Sequence, residues 1–150
     1  MNKLVVVLTR NYSTALSVVR ALGSAGYTID LIITTRGKDV EQSKVATCSK
    51  YVREATVLTG KKNSETTDKK IIDRIKKYIG TRRDKIILFP TDDYSAMLID
   101  QYREQLAGYF IMPYIVGGRT QELTRLMDKA VQSKIARRVG MKAPEEWVFR

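Results

Sequence analysis

The sequence predicts an α/β fold, a doubly wound three-layer parallel sheet with helices on both faces. Three observations carry this expectation. Residues 4–8, Leu-Val-Val-Val-Leu, form an aliphatic run without polar alternation, as expected of a strand buried on both sides of a parallel sheet. Further apolar runs alternate along the chain with stretches whose apolar residues recur at helical spacing, the pattern of strands joined by crossover helices. The length, 150 residues, suits one domain and suffices to bury a core without disulfide or metal.

The elements follow in order. Residues 3–8 give the first strand. Residues 12–25 set Ala15, Leu16, Val19 and Leu22 on one helical face, with Asn11 or Ser13 as N-cap and Gly26 as the stop. Residues 27–34 read as a second strand and 52–58 as a weaker third, while the polar stretch 36–50 between them is irregular with one helical turn. Residues 66–79 carry Ile71, Ile72, Ile75 and Ile79 as a one-sided stripe on a Lys-rich helix. The fourth strand, 85–89, is closed by Pro90 and followed by a helix over 92–106 with Met97, Leu98 and Ile99 in its interior. A short edge strand is expected at 110–112. The longest helix is expected at 120–139, with Leu123, Leu126, Met127, Ala130, Val131, Ile135 and Val139 on one face and Gly140 as its stop. No repeat, low-complexity tract or linker divides the chain, so residues 1–150 are read as a single domain.

Composition narrows the chemistry. The absence of histidine excludes a Ser-His-Asp triad, a His-bearing zinc site and an imidazole base. Cys48 is the only cysteine, which excludes disulfide frameworks and CxxC sites. What remains is carboxylate, Lys, Arg, hydroxyl and backbone-amide chemistry. The chain has 27 basic against 16 acidic residues, a net charge of +11, and residues 36–85 hold 15 of the basic ones with 7 acidic. That charge falls on expected loops and outer helix faces, where a solvated surface is the plain explanation and nucleic acid the competing one. The opening apolar run is too short to span a membrane and lacks a small-residue cleavage pattern, so a cytoplasmic protein without membrane contact is expected.

In a doubly wound sheet, ligands bind outside the carboxyl ends of the strands, where strand order reverses. If the first strand is central, the loops at 9–13 and 90–93 converge there. The first loop lacks the GxGxxG of dinucleotide binders, since the first glycine of the chain is Gly23. It offers instead Arg10, Asn11 and Ser13 beside a helix start, which suit a carboxylate or other small anion. Equally, Asn11 and Ser13 serve as caps with Arg10 solvated, and both readings stay open. Asp92 and Asp93 suit an amine or a metal, but at least one of them is expected to cap the following helix. Gly60-Lys61-Lys62 lacks the spacing of a phosphate-binding loop.

Three phrases, taken in order, carry a family resemblance: VVRALGSAGY at 18–27, LFPTDDYSAML at 88–98, and LMDKAVQSKIARRVGMKAPEEW at 126–147. Together they resemble the N-terminal, pre-ATP-grasp domain of the ATP-grasp superfamily, which includes carbamoyl phosphate synthase and other carboxylate–amine ligases. The third phrase weighs most, with its Asp-Lys pair on a helix followed by a glycine and then a proline. The resemblance implies a Rossmann-like domain and an activity that uses ATP and magnesium to activate a carboxylate as an acyl phosphate, which an amine then attacks. By the same resemblance Lys129 reaches the nucleotide phosphates, Arg20 corresponds to an arginine common in the first helix, and Arg10, Asn11, Ser13, Thr91, Asp92 and Asp93 shape the substrate cleft.

The chain shows no glycine-rich lid, adenine-contacting segment or acidic metal ligands of the family. The expectation is therefore a domain inactive alone, holding neither ATP nor magnesium by itself, whose partner is a C-terminal ATP-grasp domain. The apolar run at 147–149 favours a fragment of a longer chain. The alternative is a basic α/β nucleic-acid-binding or regulatory module. Against nucleic acid, the basic residues are not interleaved with aromatics in a stacking pattern.

Overall fold

The computed structural model describes residues 3–10, 12–35, 40–61, 64–80, 84–113 and 120–143. Its sheet has five strands, β1 (Leu4–Thr9), β2 (Thr28–Thr35), β3 (Val52–Thr59), β4 (Ile86–Pro90) and β5 (Phe110–Ile111), in the order β3-β2-β1-β4-β5. Every neighbouring pair is parallel. This is the expected Rossmann-like three-layer arrangement, with β1 central and strand order reversing between β1 and β4.

Burial follows from the side-chain alternation of each strand. All six residues of β1 are buried, and they divide between two cores. Val5 and Val7 meet Ile29, Leu31 and Ile33 of β2 beneath α1 (Tyr12–Ser24) and α2 (Val40–Thr47), which supply Ala15, Val19 and Ala46. Leu4, Val6 and Leu8 meet Ile86 and Leu88 of β4 on the other face. There α3 (Glu65–Lys76) brings Ile71, Ile72 and Ile75, α4 (Asp93–Gln101) brings Leu98 and Ile99, and α5 (Arg103–Leu106) brings Leu106.

The third strand departs from strict alternation. Ile29 pairs with Val52 but Asp30 pairs with Glu54, so Arg53 is an extra residue in a β-bulge. The packing shows the phase change: Val52 lies in the α1–α2 core and Leu58 in the opposite one, although six positions of regular strand would put both on one face. The bulge turns Arg53 and Glu54 toward the α3 side. Arg53 Nε donates to Asp30 Oδ1 at 2.8 Å, and Asp30 is wholly buried. Arg74 of α3 pairs with Glu54, donates through Nε to Thr56 Oγ1 at 2.8 Å and lies 5.5 Å from the Tyr78 ring centroid.

Four expectations need correction. The stretch 36–50 contains an eight-residue helix, α2, rather than one turn. The helix expected over 92–106 is broken at Tyr102, whose φ of −99° and ψ of 14° separate α4 from α5, and Met97 is exposed rather than interior. The helix expected over 120–139 is two, α6 (Glu122–Leu126) and α7 (Lys129–Arg138). Asp128 interrupts it by taking an extended backbone as the N-cap of α7, its carboxylate accepting from Ala130 N and Val131 N. Neither helix buries a residue fully, and Ile135 and Val139 are 38% and 66% exposed. Asp100 of α4 anchors α6 by accepting at Oδ2 from Thr124 N and Thr124 Oγ1, both at 2.9 Å. Among the described residues no helix is long and apolar enough to cross a membrane.

Candidate functional site

Because β1 is central, the loops after β1 and β4 leave the sheet side by side. Polar residues at the end of β1 and just beyond β4 take up backbone groups released at the edge. Thr91 N donates to Leu8 O at 3.0 Å, Thr91 Oγ1 to Thr9 Oγ1 at 2.6 Å, and Thr34 Oγ1 of β2 to Thr9 O at 3.4 Å. Asp92 then joins the two loops. As N-cap of α4 it accepts at Oδ1 from Ser95 N and at Oδ2 from Ser95 Oγ, each at 3.0 Å, while Oδ2 also accepts the backbone N–H of Arg10 at 2.7 Å.

That backbone tie fixes where Arg10 emerges. Its guanidinium lies 4.4 Å from the centroid of the Tyr94 ring, a cation–π contact that orients the cation. The Tyr94 hydroxyl in turn donates to the Asp68 carboxylate of α3. Burial, the hydrogen bond to Asp68 and the Asp68 charge all raise the Tyr94 pKa above its ordinary value, with Arg10 opposing. Tyr94 therefore remains a neutral donor at physiological pH. The result is a chain from α3 through Asp68 and Tyr94 to Arg10 at the reversal point of the sheet.

Of the residues expected from sequence, the structure brings Arg10, Thr91 and Asp92 into one bonded cluster. Asp93 follows as an exposed residue on the first turn of α4, and Ser13 is exposed on the first turn of α1. Asn11 lies outside the described residues. Asp92 acts here as a cap and a clasp, and both its oxygens are engaged. Arg20 stands eight positions along α1 from Tyr12, about 12 Å by helical rise, and lines a different cleft with Lys50 and Tyr51. Lys129 is the first residue of α7, exposed beside its capping neighbour Asp128. It is connected to the edge through α7 on α6 and α6 on α4.

Sequence reasoning found Thr91 but missed Tyr94, Asp68 and the threonines at the strand ends, Thr9 and Thr34. A signal for the last was present, since β1, β2 and β3 all end in threonine. Tyr94 and Asp68 had none, because their meeting depends on how α3 and α4 pack side by side. Chemically the cluster offers a positioned guanidinium, hydroxyls and the first turn of α1, a set that attracts a small anion rather than a metal. Among the described residues no group of three or more Asp, Glu, Cys or His side chains is placed to hold a metal ion.

No family model matches this chain, and no curated protein or solved structure matches it either.

Proposed function

We propose that this chain is the substrate-side domain of an ATP-grasp carboxylate–amine ligase, with the carboxyl edge of β1 and β4 receiving the carboxylate and Lys129 contributing to the nucleotide site. The observation that carries this proposal is the setting of the Asp128-Lys129 pair. The Asp128 carboxylate is turned onto the amides of Ala130 and Val131, leaving the Lys129 ammonium exposed at the head of α7. A lysine so placed suits a phosphate as a point charge. Arg10, oriented by Tyr94, supplies the complementary cation for a carboxylate.

In the family that the sequence resembles, ATP transfers its terminal phosphoryl group to the carboxylate, and the amine displaces inorganic phosphate from the resulting acyl phosphate. Within that scheme this chain binds and orients. Arg10 holds an anionic substrate group, and Lys129 offsets phosphate charge. Magnesium ligands and a lid belong to the companion portion that this proposal requires. A nucleic-acid surface has less support: the cations of α3 are interspersed with Glu65, Asp68 and Asp73, so the helix offers no unbroken basic stripe.

The test is a titration of the chain with ATP followed by backbone amide NMR. Millimolar binding, about 4 kcal/mol, is expected, with shifts at residues 129–131 that Lys129→Ala removes. Shifts confined to other segments, or unchanged affinity in the variant, would take Lys129 out of the proposal.

A further inference from the structure

At the opposite end of α1 from Arg10, a cleft of about 620 Å³ opens between the second half of that helix and the turn joining α2 to β3. Its volume is that of a small-molecule pocket, about 300–1,000 Å³. It lies at the amino-terminal edge of the sheet, because its second wall, residues 48–51, directly precedes β3. It is therefore separate from the carboxyl-edge cluster, and a ligand bound there is independent of the ligase proposal.

The lining is chemically one-sided. Arg20 and Lys50 supply two cations, Ser24 and Ser49 two hydroxyls, Tyr51 an aromatic surface and Cys48 a thiol, and among the described residues no carboxylate lines it. Lys50 Nζ lies 5.1 Å from the centroid of the Tyr51 ring. The ring is seated by Gly23: a Cβ built there would fall 2.2 Å from Tyr51 Cγ, so only glycine lets the ring lie against α1.

Both flanking helices end at this cleft, and their terminal carbonyls have internal partners. Ala21 O accepts from Ala25 N and Ser24 Oγ, Leu22 O from Tyr27 N, Lys44 O from Cys48 N and Thr47 Oγ1, and Ala46 O from Ser49 N. Cations are favoured near such helix ends, and here the carbonyls do not take up their hydrogen-bonding capacity.

We propose that this cleft is a binding site for a small phosphate monoester carrying an aromatic or apolar body. Two cations and the Ser49 hydroxyl match the charge of a phosphate dianion and its three acceptor oxygens, where a carboxylate offers one charge and two oxygens; the Ser24 hydroxyl gives its proton to Ala21 O and only lines the cleft. The Tyr51 ring takes the body of the ester.

Cys48, the one thiol of the chain, is an internal reporter. The rate of its alkylation by iodoacetamide is measured at low ionic strength against increasing phenyl phosphate, inorganic phosphate and benzoate. Saturable protection by phenyl phosphate is expected, with inorganic phosphate and benzoate each about fivefold or more weaker. Arg20→Gln with Lys50→Gln, at two exposed positions, is expected to weaken phenyl phosphate by about tenfold or more, with circular dichroism unchanged. A single Arg20→Gln variant gives an intermediate loss and serves if the double variant folds poorly. The proposal is overturned if phenyl phosphate up to on the order of 20 mM leaves the rate unchanged, if benzoate protects equally well, or if the charge-removed variants are protected as well as the parent.

Discussion

The carboxylate of Asp92 accepts the backbone N–H of Arg10 at 2.7 Å, across 82 positions of sequence. One oxygen thus does two tasks, closing the first turn of α4 through Ser95 Oγ and fixing the path of the chain after β1. The guanidinium at the reversal point of the sheet is placed by main chain as well as by the ring beneath it.

Asp92→Ala is expected to destabilise the fold by about 2–3 kcal/mol, from loss of an N-cap and of a partner for a half-buried amide. Urea unfolding measures the loss. Hydrogen exchange of the Arg10 amide adds a local readout and should accelerate more than that of the β1 interior; uniform acceleration would show that the clasp has no local role.

Arg53→Met removes the cationic partner of a wholly buried Asp30, to which the Tyr78 hydroxyl also bonds, while keeping an apolar stem. The Asp30 hydrogen bond comes first among the influences that raise the Arg53 pKa. The Arg53 side chain is 48% exposed, so solvent moderates the effect. A loss of about 2 kcal/mol is expected, below that for a fully buried pair. In a Tyr78→Phe background, which lacks the hydroxyl that also bonds Asp30, replacing Asp30 and Arg53 together by Leu and Met should cost less than Arg53→Met alone, because no buried charge is then left unpaired. A double variant less stable than the single would refute this.

Tyr78 and Tyr94 predict an alkaline weakness. Burial is the largest cause that raises each pKa above the ordinary tyrosine value of about 10, and the neighbouring carboxylates, Asp30 and Asp68, add to it. Above about pH 10 the unfolded chain loses these protons while the folded chain keeps them, so their contribution is complete below that pH and declines as pH rises. Urea midpoints between pH 8 and 11 should fall more steeply for the parent than for Tyr78→Phe with Tyr94→Phe. Parallel curves would assign the alkaline loss to other groups.

Gly23→Ala forces a methyl group into the Tyr51 ring, which must turn away. A cost of about 1–3 kcal/mol is expected even though alanine favours helix, because overpacking outweighs propensity. Thermal unfolding of Gly23→Ala and Gly23→Ser should show both destabilised, and a stabilised alanine variant would mean that the ring moves freely.

The architecture was legible because its signals are local. The branched run of β1, the isoleucine stripe of α3 and the stops at Gly26 and Gly140, both with positive φ, can be read without knowing what they touch. The third strand read as weak for a physical reason, since the bulge at Arg53 breaks the period on which such readings depend. The single helix expected over 120–139 failed because apolar spacing continues through Asp128, whereas the backbone follows that residue's capping side chain. At the carboxyl edge, Arg10 and Asp92 were visible as residues suited to a loop. The clasp between them, and the Asp68–Tyr94 support of Arg10, required the strand order that places β4 beside β1 and the packing of α3 beside α4.

The bulge also determines how this protein tolerates changes of length. Deleting Arg53 would remove the extra residue and leave the strand regular, with Glu54 still opposite Asp30 and Leu58 still in its core, and would lose only the ion pair to Asp30. An insertion at the same place would add a second extra residue and exchange inside for outside beyond it, so this position behaves as a reading frame for the edge of the sheet. Single-residue insertions should be accepted in the turns before and after β3 and rejected within it, and deletion of Arg53 should be better accepted than deletion of Val57 or Leu58.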